Sequence, residues 1–370
     1  MTDTSEKAST KVTPAGGGSG GGALAALTRS RGLRHLALVL AAYVGIVLLL
    51  QLFGDFRDTQ LATMAYFVPA AAGLTLLTGV NGQISLGHGA LMAVGAYTTA
   101  AILDRADLTP FILVVLASVA AAAVVGLLVG VAAARLHGPY LAGATLALAV
   151  GLPGIAIYFG DLFGGEQGLR VRPPDPPAWF EDLAGGDLGR TYPALLGWAL
   201  ALSVLWFLSN LVTSRYGRQW RAVRDDEVAA SLCGIDLGRA RVLAFVVSAA
   251  CAGVGGALLA VTSRLVAPTS VTLVLSLYLL TAIVLGGLGS LLGAVLGSAI
   301  LAFLPTVLTN RALDSGLDSA AAANLAPMVF GLVLVVVMLA APRGIVGTTR
   351  IALLSRKLKK QRAAALASRT

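Results

Sequence analysis

The densest set of polar groups in an otherwise apolar chain is the run Gly79-Val-Asn-Gly-Gln-Ile-Ser-Leu-Gly-His-Gly89. Asn81, Gln83, Ser85 and His88 are interleaved there with glycine and apolar residues. These side chains donate and accept hydrogen bonds without a fixed charge. The pattern fits a surface along which a polar solute passes, and it also fits an ordinary tight turn. For His88, direct solute contact and a buried, hydrogen-bonded packing role both remain open. Covalent chemistry has no foothold. None of the five lysines follows a glycine, so the Gly-Lys-Ser/Thr phosphate loop is absent, as is HExxH. Cys233 and Cys251 fit neither a disulfide framework nor zinc spacing, and the three histidines lie far apart. A non-catalytic chain with no metal and no cofactor of its own is expected.

A second informative segment is 213–241, rich in arginine. Val223, Glu227, Ala230 and Cys233 fall at helical spacing, with Asp225 and Asp226 where a first turn tolerates acids. Gly234 follows as a C-terminal stop. The spacing predicts one short helix bracketed by arginines. It is either a solvated basic loop or a docking element for a cytoplasmic partner.

The elements that must hold these residues are membrane helices. Of the 370 residues, 57% are hydrophobic and 44 more are glycine, while only 12% are charged. Soluble domains are about 25% charged, and a soluble globule of this size could not cover so much apolar surface. Runs free of Asp, Glu, Lys and Arg occupy 36–53, 61–78, 89–103, 109–134, 140–159, 193–212, 242–261, 271–287, 289–308 and 326–341. At a rise of 1.5 Å per residue, about 20 residues cross the hydrocarbon core. Their continuity argues for helices over a barrel.

Ten spans with the N-terminus inside place 20 of the 27 basic residues in the inner segments. This is the bias that membrane insertion favours. The net charge of +9 therefore reflects topology and not nucleic-acid binding. No ionised side chain falls within a run, which argues against a proton relay or voltage sensor. The expected fold is an all-α, polytopic transmembrane helical bundle of about ten spans, both termini cytoplasmic, with short or broken helices. Its parts are a disordered cytoplasmic tail (1–35), a membrane domain (36–347) and a basic cytoplasmic tail (348–370).

Glycine-rich breaks at 79–89 and at Gly286-Gly-Leu-Gly-Ser290 adjoin the short runs. Interrupted spans of this kind line transporter cavities, although tight turns at the inner face would read alike. The glycines at 253–256 and 289–297 are expected to serve close helix packing.

Five separated stretches stand out: Gly73 to Tyr97; Arg135-Leu-His-Gly-Pro-Tyr-Leu-Ala-Gly-Ala-Thr-Leu-Ala147; Gly164-Gly-Glu-Gln-Gly-Leu169; Ala282 to Gly293; and Ala341-Pro-Arg-Gly344. Together they resemble the LivM-type permease subunits of branched-chain amino-acid ATP-binding cassette importers, with Phe163 replacing a threonine of the family pattern. The resemblance spans about 36–347. It implies a plasma (inner) membrane subunit paired with a second, LivH-like permease. Two cytoplasmic ATPase subunits that bind the ATP, and an extracytoplasmic solute-binding protein, would complete the importer.

The resemblance also implies a coupling helix matched by Glu227, Ala229, Ala230 and Gly234, with Val228 as an extra residue after the glutamate. By position, the proline-rich outer loop 160–192 would face the binding protein. Asn81, Gln83, Ser85 and His88 are the candidates for the solute path. Within the family the solute could instead be urea or a short amide. A self-sufficient secondary transporter and a passive channel are the readings from another class.

Overall fold

The computed structural model describes residues 31–52, 55–105, 110–135, 140–175 and 177–316, with scattered positions from 318 to 355. Twelve α-helices occur among the described residues of 31–316. They are α1 (Arg31–Leu52), α2 (Asp55–Leu74), α3 (His88–Arg105), α4 (Phe111–Arg135), α5 (Tyr140–Tyr158), α6 (Gly160–Phe163), α7 (Ala178–Thr213), α8 (Arg215–Asp225), α9 (Glu227–Leu232), α10 (Leu237–Ser263), α11 (Leu273–Gly286) and α12 (Leu291–Asp314). Two short strands, β1 (Leu169–Arg170) and β2 (Leu265–Val266), pair antiparallel.

Among the described residues, seven helical segments are long and apolar enough to cross a membrane: Thr59–Val80, Phe111–Arg135, Tyr140–Tyr158, Tyr192–Thr213, Leu237–Ser263, Pro268–Gly286 and Leu291–Asp314. The chain is thus an all-α polytopic membrane protein. The runs 36–53 and 89–103 lie on α1 and α3, which are helical but outside that set. Most of the run 326–341, and nearly all of the tails 1–35 and 348–370, lie outside the described residues.

The bundle is organised around α10, whose most apolar stretch is 72% buried. The close packing expected of Gly253-Val-Gly-Gly256 is what its surroundings demand. A Cβ at Gly253 would meet the Ser118 carbonyl of α4 at 2.8 Å, and one at Gly255 the Tyr66 carbonyl of α2 at 2.8 Å. A Cβ at Gly256 would strike the Met92 carbonyl of α3. Small residues thus let α10 lie against three helices at once, the packing mode that works in lipid. By contrast the corresponding stretches of α4 and α5 are only 28% and 22% buried, so their apolar faces are left for lipid or another chain.

The ends of α10 define two ends of the molecule. Its first turn packs under α8 and α9. About 40 Å away at 1.5 Å per residue, its last turn leads through Arg264 into β2, which pairs with β1 as Leu169↔Val266 and Arg170↔Leu265. Phe163, the departure from the family pattern, sits at this far end with its ring edge-on to Tyr97 at 5.3 Å.

Two expectations need correction. Residues 178–192, expected as loop, are helical, because α7 runs for 36 residues from Ala178 through Pro193 to Thr213. Segment 213–241 holds two helices and not one. Asp226 is extended (φ −159°, ψ 110°) and its side chain accepts from the Ala229 amide at 3.0 Å. The acid expected in a first turn is therefore the N-cap of α9, and Asp225 closes α8. Gly234 stops the segment as expected, at φ +79°.

Candidate functional site

The break at 79–89 begins where the end of α2 widens. Residues Thr75–Val80 form a π-helical turn, with the Asn81 amide reaching back to the Leu76 carbonyl at 3.0 Å and the Gln83 amide to Leu77 at 3.0 Å. Widened turns of this kind cluster at functional sites. The backbone then runs without helix to His88. It is pinned from outside: the Leu86 amide donates to Thr145 Oγ1 at 3.0 Å and the Gly89 amide to Ser276 Oγ at 2.9 Å.

All four candidate side chains are buried, Ser85 and His88 completely. Gln83 Nε2 donates to Asn81 Oδ1 at 3.0 Å and to the Arg241 carbonyl at 3.2 Å. Asn81 Nδ2, Gln83 Oε1, Ser85 Oγ and both His88 ring nitrogens close no hydrogen bond within the protein. The Ala70 carbonyl bears on the His88 ring without completing one. An unpaired buried polar atom costs about 1–3 kcal/mol. Four such side chains in eight residues are therefore a marked departure from normal packing.

The break and the 213–241 segment meet. Asn81, Gly82 and Gln83 share a cavity of about 530 Å³ with Val223, Arg224, Glu227 and Arg241, and Ala133, Leu141 and Ala142 also line it. Ser85 and His88 do not line it; they lie in the packed interior beyond. Arg224 Nη1 donates to the Gly79 carbonyl at 2.6 Å. Gly79 also touches the second break: a Cβ there would meet Gly289 Cα at 2.6 Å. The two breaks, the start of α5 and the helices α8 and α9 thus share one end of the bundle.

On α9 and just beyond it the four candidate residues separate. Ala229 and Gly234 are exposed, but Ala230 is 3% exposed and faces inward. The Glu227 carboxylate turns back to pair with Arg241. The outward surface instead carries Val228 and Leu232, 70% and 83% exposed. Their i, i+4 spacing outside any span was the available signal for this apolar surface. Arg241 was hidden among arginines that also satisfy membrane topology. Among the described residues, no group of three or more His, Cys, Asp or Glu could hold a metal ion.

Residues 57–340 match the family described as branched-chain amino acid transport system / permease component. The chain belongs to this family. The LivM permease proteins of Salmonella typhimurium and of Escherichia coli K12, described as belonging to high-affinity branched-chain amino acid transport systems, are each 29% identical over 262 residues, 66% of this chain and 61% of theirs. The chain thus spans about three fifths of the length of these curated relatives. The LivH permease protein of Escherichia coli K12 is 36% identical over 138 residues, 37% of this chain and 42% of that protein. Family membership and the seven apolar helices make this a multi-pass inner-membrane protein.

Proposed function

We propose that the chain is the solute-translocating permease subunit of an importer for branched-chain amino acids, driven by ATPase subunits that dock on α9. The relatives supply the solute class. The observation that carries the mechanism is the set of unpaired polar side chains in the 79–88 break, at the same end of the bundle as α9. Buried groups without partners are explained by a second state in which solute or water pairs them. The π turn and the free backbone at this helix break offer dipoles to both ends of a zwitterion without a formal charge.

In this mechanism the apolar pair Val228 and Leu232, with Ala229 between them, seats in the ATPase, and Ala230 supports α9 from beneath. ATP-driven closure of the ATPases displaces α9 and opens the break, uncovering Asn81 and Gln83 at the cavity and then Ser85 and His88. The second permease covers α5. Gly143, Gly151 and Gly154 on that helix face open space, with nothing within 4 Å of an added Cβ, and small residues are what helix association in lipid requires. The binding protein delivers solute at the far end, around β1, β2 and residues 171–175.

Vesicles holding the chain with a second permease, the ATPases and a binding protein are expected to accumulate leucine or valine only with ATP. Accumulation by the chain alone overturns the reading. Stronger competition by urea or acetamide than by valine assigns an amide solute instead. Ala229→Asp, which places a charge on the exposed docking surface, is expected to abolish co-purification of the ATPases.

A further inference from the structure

Among the described residues, Arg241 is the one Arg, Lys, Asp or Glu whose side chain is buried. It sits in the first turns of α10, and its guanidinium pairs with Glu227, the first residue of α9. Its carbonyl accepts from Gln83 Nε2 at 3.2 Å. One residue therefore touches both the docking helix and the break.

A second connection runs in parallel. Arg224, near the end of α8, donates to the Gly79 carbonyl at 2.6 Å, and its fork is held by Asp225 Oδ1 at 3.0 and 2.8 Å. At Gly82 (φ +85°) a Cβ would meet Arg224 Cγ at 2.7 Å, so the stem of the arginine lies flat on the break. Trp220 Nε1 donates to the Ala240 carbonyl at 2.9 Å from a fully covered ring, fastening α8 to the first turn of α10.

We propose that Arg224 and Arg241 are positioning residues that tie the α8–α9 segment to the 79–83 break at two points, Arg224 from α8 and Arg241 through Glu227 of α9, so that displacement of this segment moves Asn81 and Gln83. The proposal rests on the reading that ATPases dock on α9. It adds the route by which their motion reaches the solute path. A half-buried ion pair with no such role would affect folding alone. A transmitting one sets how much solute moves per ATP. The two contacts leave the break in different directions, Arg224 holding its start and Arg241 its Gln83 amide. Loss of either therefore loosens the break while α9 and its docking face stay intact.

The test uses the complete complex in vesicles, with ATP hydrolysed per solute imported and ATPase co-purification as the two readouts. Arg224→Met and Glu227→Gln are expected to retain the ATPases while the ATP used per solute rises about tenfold. Arg224→Lys keeps a donor for the Gly79 carbonyl and is expected to stay within about threefold of the unaltered complex. The exchange Glu227→Arg with Arg241→Glu is expected to recover most of the loss seen with Glu227→Gln.

An unchanged ratio in Arg224→Met overturns the proposal, as does an Arg224→Lys variant as poor as Arg224→Met. If leaving Arg241 unpaired prevents folding of Glu227→Gln, the two Arg224 variants decide. An unaltered complex that imports solute without ATPases overturns the functional reading itself, and the tie with it.

Discussion

Residues 79–89 and 286–290 both interrupt apolar helices with glycine, and both meet at the contact between Gly79 and Gly289. Their polar groups fare differently. The second break closes on itself. The Gly287 amide donates to the Ile283 carbonyl at 3.0 Å, the Ser290 amide to Gly287 at 3.3 Å, and Ser290 Oγ accepts from the Gly293 amide to cap α12 at 3.2 Å. Gly287 and Gly289 supply the positive φ values, 117° and 80°, that so short a turn needs.

The first break is longer and cannot close locally. It borrows Thr145, Ser276, Arg224 and Arg241 from four other elements and still leaves Asn81, Gln83, Ser85 and His88 with unpaired atoms. Similar composition thus yields a satisfied turn in one place and a strained polar seam in the other. Only the seam has something to gain from a second conformation.

The largest expected effect falls on what the breaks share. Gly79→Ala forces a Cβ into the Gly289 backbone, where no side chain can yield. Overpacking of this kind costs about 3 kcal/mol or more, so the variant is expected to vanish from the membrane fraction. Normal yield and melting temperature would show that the breaks are not locked together.

Next comes the seam itself. Asn81→Leu removes an unpaired amide nitrogen and leaves Gln83 its bond to Arg241. Uptake is expected to fall about tenfold, equivalent to about 1.4 kcal/mol on the barrier, with no loss of thermal stability. Wild-type uptake would take Asn81 off the path.

The sharpest contrast uses one substitution at two places. Ser85→Ala deletes an orphaned hydroxyl and is expected to raise stability by about 1 kcal/mol or more while slowing uptake. Ser290→Ala deletes a helix cap and is expected to lower stability by about 1 kcal/mol while uptake holds. Thermal melts of the two variants are expected to shift in opposite directions; shifts of the same sign would erase the distinction between the breaks.

Much of this was legible in the sequence, because the governing physics is local. Continuous uncharged runs mark the helices through the length that hydrocarbon demands, and Gly79 to Gly89 marks itself by polar residues set among apolar ones. Gly234 could be read as a stop because a positive φ favours glycine. The burial of Ala230 and the inward turn of Glu227 could not be read, since both depend on Asp226 breaking the helix and resetting the face of α9. The helical start of α7 at Ala178 was masked by charged residues and Pro193, which argue for loop when no neighbours are considered. The contact of Gly79 with Gly289, 210 positions apart, and the ties from Arg224 and Arg241 are products of tertiary packing. No spacing rule within one segment reports them.

The central claim is that the 79–88 seam is a covered path opened by partners acting on α9. Ser85→Cys tests it most directly, in a chain whose exposed Cys233 is replaced by serine and whose other cysteine, Cys251, is buried. Labelling by a membrane-impermeant thiol reagent is followed in the assembled complex, with and without ATP and solute. The account predicts negligible labelling at rest and rapid labelling during ATP turnover. Equal labelling in both conditions, or none in either, would contradict it.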